Sequence, residues 1–191
     1  MERVDVTIPL KEIYQTKVIP SFLATAKHKN IFAVPHVEKV VVNTGIGKFL
    51  KEDARVEEIV RSLTEITGQK VVLTKAKRAV AGFKIREGLS VGVRVTLRGD
   101  RMWDFLDRLV KTVFPRIRDF QGINPSVVDA SGNINVGIRD QSVFPEIIPE
   151  RVQTTFGLQV NVVTTAENRD QGLLLAKLLG FPLRDNSMDD R

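Results

Sequence analysis

The chain has 191 residues, 42% of them hydrophobic, a formal net charge of +6 and no cysteine. That apolar content supports a sizeable core and excludes disorder as the default state; the missing cysteines exclude disulfides and thiolate metal sites and make the reducing cytoplasm the natural compartment. A pI near 9.7 favours nucleic acid or another anionic surface as partner. No apolar stretch reaches the ~18 residues of a membrane span, and the opening MERVDVTIPL carries acids without a long apolar run, so neither a span nor a signal peptide is expected.

Residues 1–30 read as an N-terminal helical segment, with a helix over Leu10–Lys29 that Pro20 should kink or split near Ile19. A strand is expected over Val37–Thr44, with Val40 and Val42 on one face and Lys39, Val41 and Asn43 on the other; Thr44-Gly-Ile-Gly47 breaks it. Glu52–Thr67 has helical spacing at Val56, Ile59, Val60, Leu63 and Ile66, with Gly68 as its stop. Val71–Thr74 and Ser90–Arg98 read as strands, the second alternating strictly. Gly99-Asp100 offers an N-cap for a helix over Arg101–Val113, which Pro115 terminates. A hairpin is expected at Ser131-Gly-Asn133, then alternation at Ile134, Val136 and Ile138 and a strand over Leu158–Thr164. Asn168 caps a last helix through Leu179, and 184–191 reads as a flexible polar tail. With no repeat or linker to divide it, the order predicts a single α+β domain over 1–191, its mainly antiparallel sheet carrying helices on one side.

Charge is segregated. Between Lys70 and Arg98 stand eight basic residues (Lys70, Lys75, Lys77, Arg78, Lys84, Arg86, Arg94 and Arg98) and one acid, Glu87, whereas the flanks are close to balanced. The two strands of this segment are joined by a loop too long for a tight hairpin turn, with Gly82 and Gly88 free to take positive φ and Phe83 at the tip. Charge runs are more often solvated surface than sites. Here the concentration in one segment favours a polyanion site, with phosphates for the cations and stacked bases for the aromatic.

Catalytic apparatus is hard to find. Thr44-Gly-Ile-Gly-Lys48 lacks the glycine spacing and the hydroxyl residue of a phosphate loop. His28 and His36 form no helical pair, and no Gly-x-Ser-x-Gly elbow exists. Acid pairs such as Asp53 with Glu57, or Asp189 with Asp190, fit solvated surface. No enzyme, no metal and no cofactor is expected.

Several motifs carry a family resemblance. They are Pro35-His-Val-Glu-Lys-Val-Val-Val-Asn-Thr-Gly-Ile-Gly47, Thr67-Gly-Gln-Lys70, Thr74-Lys-Ala-Lys-Arg-Ala-Val-Ala-Gly-Phe-Lys-Ile-Arg-Glu-Gly88, Val95-Thr-Leu-Arg-Gly-Asp-Arg-Met-Trp103, Phe114-Pro-Arg-Ile-Arg-Asp-Phe120 and Phe144-Pro-Glu146. Over Ile31 to Arg184 the chain closely resembles the bacterial form of universal large-subunit ribosomal protein five. The resemblance implies a concave RNA-facing surface, with Asn43, Gln69 and Thr96 on 5S rRNA in the central protuberance. Lys39, Lys70, Arg94 and Arg98 join them as candidate rRNA contacts. It also implies a loop contact with peptidyl-site tRNA through Lys77, Arg78, Gly82, Phe83, Lys84 and Arg86. Further implied partners are 23S rRNA, neighbouring large-subunit proteins and, through the C-terminal half, a protein of the small-subunit head in an intersubunit bridge; no membrane is involved. Pro20, Gln159, Leu183 and the acidic tail depart from the family pattern. The alternative is a free-standing RNA-binding protein, nucleic-acid enzyme or RNA chaperone.

Overall fold

Apolar alternation at period two builds the sheet. Val37–Gly45 (β1) buries Val40, Val42 and Thr44 on one face, and Ser90–Leu97 (β3) buries Val93, Val95 and Leu97. Val72–Lys75 (β2), Ile134–Ile138 (β4) and Leu158–Thr164 (β5) complete a five-stranded antiparallel sheet in the order β2-β3-β1-β5-β4. The structure, a computed structural model, describes residues 8–25, 30–49, 52–148, 150 and 152–184. The helices are α1 (10–25), α2 (Asp53–Thr67), α3 (99–116) and α4 (Arg169–Leu178). This is the expected α+β domain. Packing separates it into two compact units, one of Val41–Leu97 and Gly137–Val160, the other of the remaining residues; the division falls inside β1, β4 and β5.

Pro20 interrupts its helix at Ile19, as expected, whereas Pro115 does not itself end α3, which runs one residue further to Arg116. Each follows, by two residues, a five-residue π-type segment, Tyr14–Val18 in α1 and Leu109–Val113 in α3, and the helix continues as Ile19–Thr25 or Phe114–Arg116. A proline ring clashes with the carbonyl four residues back and offers no N–H; widening the preceding turn relieves the clash without breaking the helix. The cap of α3 also differs. Arg98 is the N-cap and Gly99, at φ +59, opens the helix; Asp100 sits in the first turn, its carboxylate 2.7 Å from Lys11 Nζ. At the other caps the expectations hold: Gly68 ends α2 in the left-handed conformation, and the Asn168 side chain accepts from Gln171 N–H.

In the unit that holds both chain ends, α1 is tied to α3 by Asp107, which accepts from Leu10 N–H at 3.0 Å, and by Lys111, which donates to Ile8 O and to Asp107. The turn before β4 is closed by Asp129, whose carboxylate accepts from the N–H groups of Ser131 and Asn133. His28 and the 184–191 tail lie largely or wholly outside the described residues. Among the described residues no helix is long and apolar enough to cross a membrane, and no cluster of three or more His, Asp or Glu is placed to hold a metal.

Candidate nucleic-acid interface

The basic segment folds as a two-tiered hairpin, more ordered than the open loop its length suggested. At its base Ala76 N–H bonds to Leu89 O at 2.8 Å and Gly88 N–H to Ala76 O at 3.0 Å. Higher up, Val80 and Ile85 exchange both backbone bonds, at 2.9 and 3.2 Å, around a single helical turn over Ala81–Phe83. Lys84 closes that turn in the left-handed region at φ 54, and Gly88 takes φ 83 where the strand resumes. Backbone bonds alone define the hairpin, so its side chains are free for other use. Lys77, Arg78, Gly82, Lys84 and Arg86 are all exposed, and Phe83 is 77% exposed at the tip. The Phe83 ring therefore adds little packing to the hairpin and stays available for stacking.

What sets this segment apart is how many cations it gathers with a single acid, Glu87, among them. Among the described residues, no ion pair forms to Lys70, Lys75, Lys77, Arg78, Lys84, Arg86 or Arg94. Some cations elsewhere do meet acids, Lys11 with Asp100, Arg55 with Glu52 and Lys111 with Asp107, but those stand singly along the chain. Seven uncompensated cations on one strand-hairpin-strand give an outward positive field that a polyanion would neutralise.

In the same unit the sheet presents polar groups beside that hairpin. The bond from Ile46 N–H to Val91 O sets the antiparallel register of β1 and β3. By this register Asn43 stands across from Arg94 and Val41 across from Thr96, on the face opposite the buried valines. Val72 of β2 pairs with Arg94, so the exposed edge of the sheet continues that face. Gln69 arrives from a different element. Gly68, at φ 64, turns the chain back at the end of α2, and Gln69 Nε2 then donates to Thr96 O at 3.0 Å. The structure thus joins Gln69 to Thr96 directly and sets Asn43 opposite Arg94. Lys70 is exposed beside Gln69.

Lys39 and Arg98 have a different setting, in the other unit. Both lean on one acid, Glu38, with Arg98 Nη1 at 3.2 Å and Lys39 Nζ at 3.4 Å from its Oε1. The Arg98 hydrogen bond, followed by Lys39, holds the Glu38 carboxyl below the ordinary carboxylate range. Of the eight cations in the basic segment, Arg98 is therefore the partly neutralised one. Sequence reasoning missed Glu38. Its neighbour Lys39 was visible, but the sixty-residue jump to Arg98 needs the pairing of β1 with β3.

Comparison with known proteins identifies the family. Residues 30–86 match the family model described as Ribosomal protein L5, and residues 90–183 match the separate model for the C-terminus of that ribosomal protein family. A large ribosomal subunit protein uL5 of Chloroflexus aurantiacus is 47% identical over 179 residues, covering 94% of this chain and 99% of that protein. One from Halothermothrix orenii is 48% identical over 174 residues, covering 91% and 97%. A large ribosomal subunit protein uL5c of Tetradesmus obliquus is 45% identical over 175 residues, covering 92% and 97%. With both halves matched and relatives similar along nearly their whole length, the chain belongs to the ribosomal protein L5 family and is a structural, non-enzymatic, rRNA-associated constituent of the large ribosomal subunit.

Proposed function

We propose that the chain anchors 5S rRNA to the central protuberance through the β1–β3 face, while the 76–89 hairpin reaches peptidyl-site tRNA. The observation that carries this reading is the set of seven unpaired cations together with the exposed Phe83. Arg94 and Lys70 suit phosphates. The amide of Asn43 and the hydroxyl of Thr96 suit 2′-hydroxyls and base edges, which tell RNA from DNA. Gln69 spends one amide N–H on Thr96 O, which holds the end of β3 in place, and keeps its second N–H and its Oε1 for RNA. Lys39 and Arg98, sharing Glu38, contribute less than their formal charge. On the hairpin, the cations suit the phosphates and Phe83 suits a base or ribose face. The same reading assigns 23S rRNA and neighbouring proteins as further contacts, and a small-subunit head protein to the C-terminal half.

The test of the face is direct. Asn43→Ala and Thr96→Ala should each weaken 5S rRNA binding by roughly 1–3 kcal/mol, because each leaves a desolvated polar partner unmatched. Filter binding of a 5S rRNA transcript at fixed salt measures this. Undiminished affinity in both variants removes the β1–β3 face as the 5S site.

A further inference from the structure

Gly45 and Gly137 are glycines without an internal reason. Gly45 ends β1 and Gly137 lies within β4, on its exposed face. Neither has positive φ, and a Cβ built on either meets nothing within 4 Å. Glycine weakens a strand, since it holds more freedom when unfolded and packs nothing when folded. Where neither backbone conformation nor internal packing demands it, the remaining physical reason is the close approach of something outside the chain.

The surroundings say what approaches. The two glycines line one open recess of about 420 Å³ with Asn43, Thr44, Ile138, Arg139, Gly157, Leu158 and Gln159. The order β1-β5-β4 brings the end of β1, the start of β5 and the end of β4 together here, with Gly157 immediately before β5. Thr44 Oγ1 donates to Gly157 O at 2.6 Å, and a Cβ on Gly157 would stand 3.2 Å from Ile138 O, so Gly157 packs closely between β1 and β4. Thr44, Ile138 and Leu158 are buried and contribute backbone. The outward side chains are one guanidinium, Arg139, and two amides, Asn43 and Gln159; no acid lines the recess. A bare backbone floor, one cation and two groups that both donate and accept match a sugar-phosphate unit: phosphate to Arg139, ribose hydroxyl or base edge to the amides.

We infer that this glycine-floored recess seats a nucleotide of rRNA, with Arg139 and Gln159 as contacts beyond the β1–β3 face. The inference rests on the reading of that face as RNA-binding and extends it across β5 to β4.

The experiment compares Gly137→Val, Arg139→Gln and Thr96→Ala, the last lying outside the recess, in binding to a 5S rRNA transcript and separately to a 23S rRNA transcript. Valine fits a strand, and open space surrounds Gly137, so Gly137→Val should melt no lower than the parent. It should nevertheless bind one of the two transcripts about tenfold more weakly, and Arg139→Gln should weaken the same transcript and flatten its log–log salt slope by about 1. The transcript affected identifies which rRNA fills the recess. Parent-like binding of both transcripts by both recess variants, with Thr96→Ala weakened, overturns the recess and leaves the face standing. Parent-like binding by all three variants removes both. If the recess variants bind both transcripts normally but join large and small subunits poorly, the occupant is a protein and the inference is wrong. A lowered melting temperature for Gly137→Val gives that glycine an internal role and removes the argument from it; normal RNA binding by Arg139→Gln then overturns the recess.

Discussion

Two long irregular connections leave the same compact unit, and they are built in opposite ways. The first, 76–89, joins β2 to β3; the second, 139–157, joins β4 to β5. The first is closed by backbone bonds alone and exposes every charged side chain it carries, four basic against one acidic. The second is pinned by side chains. Gln141, 1% exposed, donates to Thr154 O at 2.7 Å and accepts from Phe156 N–H at 2.8 Å, so its amide stands in for a missing strand partner. Glu58 of α2 accepts from the N–H groups of Gln153 and Thr154 at 2.8 and 3.2 Å. Phe144, Ile147 and Phe156 are buried along it. One connection commits its apolar residues to the core; the other offers its aromatic to solvent. The difference teaches that length does not tell a structural loop from a functional one. What does is where the polar and aromatic groups find partners.

That contrast can be broken most severely at Gln141. Gln141→Ala orphans a buried carbonyl and a buried N–H together, and should cost about 2–4 kcal/mol in urea unfolding. A cost below about 1 kcal/mol would show that the second connection is not held by this amide. Glu58→Gln comes next, with an expected loss of about 1–2 kcal/mol at neutral pH as two hydrogen bonds to a carboxylate weaken. Burial pushes the Glu58 carboxyl up, but the Thr154 side chain and the Gln153 and Thr154 N–H groups together hold it below the ordinary glutamate range. A group depressed in the folded state contributes fully above its unfolded pKa and loses that contribution as the pH falls through its folded pKa. The gap between parent and Glu58→Gln should therefore close on acidification below the ordinary glutamate range; a gap that is constant down to about pH 3 contradicts the carboxylate clamp. The smallest effect on stability belongs to the first connection. Replacing Lys77, Arg78, Lys84 and Arg86 together by Gln should change it by less than about 0.5 kcal/mol, leave 5S rRNA bound, and speed tRNA dissociation from ribosomes carrying the variant. Lost 5S binding with unchanged tRNA dissociation would make the hairpin an rRNA anchor instead.

Local features were legible where the signal is local. The strand faces of β1 and β3, the Gly68 stop and the Asn168 cap follow from period, backbone freedom and side-chain reach within a few residues. The stop at Pro115 was misread by a residue because the cost of a proline depends on whether the turn before it can widen, and buried Val113 holds that widened turn in place. Asp100 has cap chemistry, yet Lys11, 89 residues away in the chain, holds its carboxylate in the first turn. The roles of Gln141 and Glu58 left no trace in the sequence, since their partners are backbone groups that carry no residue identity.

The sequence by itself determined the fold class, the concentration of charge between Lys70 and Arg98 and the exposed aromatic at position 83, because periodicity and net charge are sums over neighbours in the chain. Only the tertiary structure decided which cations stay unpaired, that Gln69 reaches Thr96, and that Gly45, Gly157 and Gly137 line one recess. Those outcomes depend on strand order and register, which bring together residues dozens of positions apart, and no local preference encodes such a meeting.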